Sequence, residues 1–202
     1  LKMNNHTVIT ISRQYGSGGR ELANKIAEKL GYKLFDRQIV HLAAAQIGID
    51  DLSEDNLRNL ENNVTPLSLS FIPFFNFGSR NTGFNNDIFI NEAKAIRKLA
   101  SDNDCVILGR CADFILEDLP NHYSFFICAN DDYREKRGKE VYDGKSLKEL
   151  NEEDNKRANY YKYYTKQNWG DPKNYDMIIN TSKVSLDKAA DIIISYVKSN
   201  KK

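Results

Sequence analysis

The stretch Ile9–Arg20, ITISRQYGSGGR, decides the fold. Val8, Ile9 and Ile11 form an apolar run of β type. Gly16, Ser17, Gly18 and Gly19 make a glycine-rich turn, and Leu22, Ile26 and Leu30 open a helical repeat. A strand feeding such a turn and then a helix N-terminus builds an anion site, with inward backbone N–H groups and the positive end of the helix dipole. Glycine lets the main chain approach an oxygen that a Cβ would block. Arg20, in the first helical turn, adds a bidentate phosphate contact. The plainer reading is a tight turn that needs glycine for its dihedrals alone. Two phosphate-binding templates compete. The dinucleotide fingerprint starts at Gly16 and Gly18, but its third glycine falls on Glu21. In its favour, Asp36 closes the next strand about 20 residues on, where a ribose-binding acid would stand. The P-loop template needs Lys followed by Ser or Thr, and this chain offers Gly19-Arg20-Glu21.

Outward from that stretch, strands alternate with helices. Strands are expected at Thr7–Ile11, Lys33–Phe35, Cys105–Leu108, Tyr123–Cys128 and Met177–Ile179. Helices are expected at Arg20–Leu30, Arg37–Gln46, Ile88–Ala100, Asp132–Arg137, Ser146–Lys166 and Leu186–Val197, and Asp51–Asn62 carries helically spaced leucines. Val64–Asn86, rich in Phe, Ser, Asn and Gly, fits no period and reads as a long loop. The continuously apolar CVIL run suits a parallel strand covered on both faces. The expected fold is α/β: a doubly wound, mostly parallel sheet of five strands with helices on both faces and a helical lid. One domain spans 1–202, with an insertion at 37–100, which a family resemblance makes acceptor-binding, and a lid region at 138–172.

Charge is balanced, 29 basic residues against 28 acidic, which removes any general argument for nucleic acid or an anionic membrane. No run approaches a membrane span, the N-terminal residues lack the apolar core of a signal peptide, and the expected location is cytoplasmic. Cys105, Cys111 and Cys128 form no metal spacing and read as reduced thiols; His6, His41 and His122 are scattered likewise, so no protein metal centre is expected. Cys111 beside Arg110 suits a small buried residue in a strand-to-helix turn better than a nucleophile. Residues after each strand line the crevice of an open α/β sheet. That rule singles out Asp36 and Arg37 after the second strand and Gly109, Arg110 and Cys111 after the third. The helix bearing Asp154, Lys156, Arg157, Lys162 and Lys166, interleaved with Tyr160, Tyr161, Tyr163 and Tyr164, reads as a solvated face or a hinged cover over phosphates.

The run ISRQYGSGGRELANKIAEKLGYKLFD, the segment CVILGRCADFILEDLP, and the later YREKR and EEDNKRA resemble the cytidylate-kinase-like family of P-loop nucleoside monophosphate kinases. The resemblance spans nearly the whole chain except 64–86. It implies phosphoryl transfer from ATP, with Mg²⁺, to a nucleoside monophosphate. Catalysis there is mainly positioning and charge neutralisation. On this resemblance Gly16, Ser17, Gly18, Gly19, Arg20 and Glu21 hold the donor phosphates. Asp36, Arg37, Arg110 and Asp154 serve the acceptor, and Arg20, Arg110 and Arg157 are the catalytic cations. The partners are small-molecule nucleotides, and a homodimer stays open.

Several positions depart from the family's pattern. Cytidylate kinases carry GKGT where this chain has Gly18-Gly19-Arg20-Glu21, so the lysine falls on Gly19 and Arg20 is its nearest substitute. Their DGRD reads Leu108-Gly109-Arg110-Cys111, an earlier lid arginine falls on Leu150, and an acceptor-clamping arginine falls on Leu42. Fewer acids make a poorer Mg²⁺ site. Two alternatives therefore remain: a non-catalytic nucleotide sensor, and an NAD(P)-binding oxidoreductase.

Overall fold

The structure is a computed structural model that describes residues 6–36 and 82–201. Two compact units divide the chain, Leu1–Leu34 with Ala100–Lys202, and Phe35–Leu99. In chain order the described elements are β1 (Val8–Arg13), α1 (Gly19–Leu30), β2 (Lys33–Phe35), α2 (Thr82–Asp102), β3 (Cys105–Leu108) and α3 (Ala112–Ile115). Then come β4 (His122–Cys128), α4 (Asp131–Val141), α5 (Leu147–Thr165), a 3-10 turn (Pro172–Asn174), β5 (Met177–Asn180) and α6 (Leu186–Asn200). The expected helices at Arg37–Gln46 and Asp51–Asn62, and most of the expected loop Val64–Asn86, lie outside the described residues.

The five strands form one sheet in the order β2-β3-β1-β4-β5. β1 runs parallel to both neighbours, with Val8 opposite Cys105 and His122, and Ile11 opposite Leu108 and Phe125. β4 and β5 are also parallel, Phe125 lying opposite Met177. The doubly wound parallel sheet expected from the alternating pattern is thus present. β1 extends two residues past Ile11 because β4 keeps pairing with it, Ser12 against Phe126 and Arg13 against Ile127. The apolar run alone could not reveal that extension. α2 begins at Thr82 rather than Ile88. Gly83, Asn85 and Asn86 are weak helix formers, so propensity stops the expected helix short.

Alternation along the strands sorts side chains to two faces. One face carries Ile9, Ile11, Val106, Leu108, Tyr123, Phe125 and Ile127, packed with Leu22 and Ile26 of α1 and Ile193 and Val197 of α6. Full burial of each such Leu or Ile is worth roughly 1.5–3 kcal/mol. Lys25–Asp187 at 2.9 Å and Lys29–Asp191 at 2.6 Å link the same two helices at the surface. These exposed pairs add little. The alternate positions carry buried polar pairs: Thr10 Oγ1 with His122 Nε2 at 2.8 Å, and Ser12 Oγ donating to Asp113 Oδ1 at 3.5 Å. Chain order reverses around β1, so the loop leaving its carboxyl end opens at the switch point where α/β sheets bind ligands.

Candidate functional site

The glycine loop Gln14–Gly18 joins β1 to α1 and is braced from the ends of β4 and β5. Gln14 N donates to Ile127 O at 2.9 Å, and Ala129 N donates to Gln14 Oε1 at 3.1 Å. Thr181 Oγ1, just past β5, donates to Ser17 O at 2.7 Å. Within the loop Ser17 Oγ donates to Gln14 O at 2.8 Å and accepts from Gly19 N at 3.3 Å. Among the described residues, nothing accepts from the backbone N–H groups of Gly16, Gly18 and Glu21. Gly16 and Gly18 are buried, where an amide without an acceptor is costly, and a bound anion would satisfy it. Gly16 is left-handed, φ +80°, and a Cβ there would stand 3.2 Å from Cβ and O of Arg134. Both facts demand glycine.

Two helices then close on the middle of this loop. Arg134, from α4, is 2% exposed. Its Nε donates to Tyr15 O at 2.8 Å, Nη1 to Asn151 at 3.0 Å and Asp131 at 3.2 Å, and Nη2 to Asp154 Oδ2 at 2.6 Å. Asp154, from α5, uses its other oxygen to accept Tyr15 N at 2.7 Å. One turn on, Arg157 Nη1 donates to Arg13 O at 3.0 Å, and its guanidinium lies 5.0 Å from the Tyr15 ring centroid. Both backbone polar groups of Tyr15 are therefore held by the Arg134–Asp154 ion pair. Burial raises the Asp154 carboxyl, opposed first by Arg157. Burial also pushes the Tyr15 hydroxyl up to about 12, so it stays protonated. Arg137 reaches from α4 to the Glu21 carboxylate.

Beyond β3 the backbone turns through three left-handed residues, Gly109 (φ +74°), Arg110 (φ +61°) and Cys111 (φ +55°). Non-glycine residues in that region are strained, and such strain clusters at functional sites. Cys111 is buried there, as a small turn residue. Next along, Asp113 is 5% exposed; Tyr161 Oη donates to its Oδ2 at 2.6 Å. Burial raises the Asp113 carboxyl to about 6.

Residues 8–183 match the model of the cytidylate kinase-like family. The chain belongs to that family. Among solved structures, this family member is similar to an uncharacterized protein from Eubacterium ventriosum: 29% identity, 96% of this chain and 99% of that chain covered, TM-score 0.69. It is also similar to shikimate kinase from Acinetobacter baumannii in complex with shikimate, at 14% identity, 98% and 97% coverage and TM-score 0.53. Shikimate kinase from Bacteroides thetaiotaomicron matches at 13% identity, 95% and 98% coverage and TM-score 0.54. The two shikimate kinases show the fold alone. Comparison with curated proteins finds no match.

In this family member the expected site residues divide. Gly16 to Glu21 form one continuous loop and helix start, and Asp154 and Arg157 reach it from α5. Glu21 is engaged by Arg137, and Asp154 holds the loop backbone and Arg134. Arg110 is half-buried in the strained turn after β3. Asp36 belongs to the second unit, and Arg37 lies outside the described residues. The dinucleotide alternative meets an obstacle in strand order. That fold sets the second strand beside the first, whereas β3 stands between β2 and β1 here.

A polyphosphate fits the acceptorless amides. No group of three His, Cys, Asp or Glu gathers among the described residues, and Glu21 and Asp154 are committed to arginines. Nor is any helix among the described residues long and apolar enough to cross a membrane. Motif reading did not single out Arg134 and Tyr15, which the structure joins at the centre of the loop. The only signal was the Arg-x-x-Arg spacing of Arg134 and Arg137 within YREKR.

Proposed function

We propose that this protein is a nucleotide-binding phosphotransferase that moves a phosphoryl group from ATP to a nucleoside monophosphate or a related acceptor. The observation that carries the reading is the loop itself: amides at Gly16, Gly18 and Glu21 without acceptors, beneath guanidinium groups from α4 and α5. Membership of the cytidylate kinase-like family supports it. In such a site the loop amides bind and orient the donor phosphates. Arg157, on the helix that covers the loop, neutralises charge on the transferred group, and α5 with α4 excludes water. Arg20 and Arg110 serve the donor and the acceptor, and Asp36 with Arg37 opens the acceptor side.

The test is ADP formation from ATP against a panel of nucleoside monophosphates, pyrimidines first, across pH and divalent ions. Turnover with one acceptor is the expected result, and no turnover with any acceptor removes the phosphotransferase reading. A second reading has its own observation. Glu21 and Asp154 are both spoken for, which suits a sensor that keeps the cradle without the chemistry. That reading expects ATP binding by calorimetry with no product, and any confirmed turnover ends it.

A further inference from the structure

The P-loop template opens on a glycine and closes on Gly-Lys, with four residues between the two glycines. Counting back from Gly18, the opening glycine's place is taken by Arg13, while the lysine's place is taken by Gly19. Cation and glycine have exchanged positions. The structure gives that exchange a physical basis. A Cβ built on Gly19 would stand 2.6 Å from Arg13 Cβ and 2.9 Å from its Cγ. Those distances are shorter than any carbon–carbon contact allows. The Arg13 stem therefore fills the space where a residue-19 side chain would start, and only glycine is compatible with it. Further along the same side chain, Arg13 Nη1 lies so close to Gly109 that a Cβ there would collide with it. The arginine thus runs from the first residue of α1 to the carboxyl end of β3 over a bed of two glycines.

The geometry points to Arg13 as the phosphate-binding cation that takes over from the missing P-loop lysine, contacting the terminal phosphates of the nucleoside triphosphate. The inference rests on the nucleotide-binding reading above and deepens it. Arg13 sits at the carboxyl edge of the sheet, in the crevice between the glycine loop and the turn after β3. Its own carbonyl is fixed by Arg157 Nη1 at 3.0 Å, which sets where the side chain departs. A guanidinium delivered from the strand presents a planar fork to two phosphate oxygens, where a lysine would present a point charge. Arg20, the substitute suggested by sequence position, follows Gly19 on the helix. Arg13 instead occupies the space of the lysine's own stem. It is the better replacement on geometry.

The test uses the full chain and two probes, ATP and inorganic tripolyphosphate, titrated by calorimetry alongside thermal unfolding without ligand. Arg13→Gln is expected to weaken tripolyphosphate at least tenfold. The double variant Arg13→Gly with Gly19→Lys, which rebuilds the template, is expected to bind within threefold of wild type. If the wild-type chain binds neither probe, the nucleotide-binding reading falls and this inference with it. If wild type binds and folded Arg13→Gln binds equally well, the inference alone is overturned. Should Arg13→Gln fail to fold, the double variant decides: near-wild-type affinity sustains the inference. A folded double variant without affinity, or one that also fails to fold, marks Arg13 as a structural strut and overturns it.

Discussion

At Arg134 a guanidinium with 3% side-chain exposure donates to Tyr15 O, Asn151, Asp131 and Asp154. Its loss would leave the buried Asp154 carboxylate with the longer Arg157 pair at 3.5 Å, beside a loop whose carbonyl lacks its donor. Removing one partner of such a pair costs about 3–5 kcal/mol. Arg134→Ala is therefore expected to lower the unfolding free energy by that amount in urea at pH 7. Arg134→Lys should recover little, because one ammonium cannot match a fork spread over four acceptors. Arg157 is a different case, with a side chain 21% exposed that holds Arg13 O and stacks on Tyr15. Its truncation to Ala should cost only about 1–2 kcal/mol of stability. Turnover of the proposed reaction should fall more than a hundredfold. Equal losses in binding and stability with unchanged turnover would contradict its role. Sequence position alone made Glu21 a phosphate-loop residue. Arg137 claims its carboxylate, and no local pattern announces a partner that far along the chain.

Among the helices, α5 was legible to within one residue at each end. Ser146 Oγ accepts Glu149 N at 3.4 Å, and Glu149 Oε2 accepts Ser146 N at 2.8 Å, a reciprocal cap written as Ser-x-x-Glu. Ser146→Ala should cost about 1 kcal/mol by urea unfolding and leave ATP affinity unchanged. The basic and aromatic face of this helix splits in the structure. Tyr161 is buried against Asp113, while Lys162 and Lys166 are exposed. Spacing could set out that split but not decide which tyrosine turned inward. The loop element behaves differently. Gly16→Ala forces a left-handed residue, costing roughly 1–2 kcal/mol, and sets a Cβ 3.2 Å from Arg134. A loss of stability together with loss of tripolyphosphate binding is expected. Retention of both would mean the loop conformation is not what binds.

For the molecule as a whole, two buried groups pull stability in opposite directions as pH changes. Burial raises the Asp113 carboxyl from 3.8 to about 6, so the folded state binds the extra proton and stability falls as pH rises through that window. Burial lowers the His122 imidazole from 6.5 to about 4, so the unfolded state binds the extra proton and stability rises over nearly the same range. Asp113→Asn removes the first effect and keeps an acceptor for Tyr161. The stability gap between variant and wild type should widen in the variant's favour by on the order of 2 kcal/mol from pH 4 to 6.5. Parallel curves in urea at pH 4, 5 and 6.5 would sink the assignment. Strand order is likewise a whole-molecule property. The β2-β3-β1 sequence of neighbours separates a P-loop sheet from a dinucleotide one, and the glycine motif by itself could not.

Taken alone, the amino-acid order determined what local physics can determine. Apolar runs bounded by helical repeats require a covered parallel sheet, and a glycine turn between strand and helix gathers backbone amides at the carboxyl end of that strand. The tertiary structure alone decided which charges meet there. Arg134 and Tyr15 are 119 residues apart, Asp154 and Tyr15 139, and their pairing depends on how α4 and α5 pack over the loop. The path of Arg13 across Gly19 and Gly109 is of the same kind. Periodicity records which way a side chain faces within its own element, whereas the partner it finds is set by the packing of elements far away in the chain.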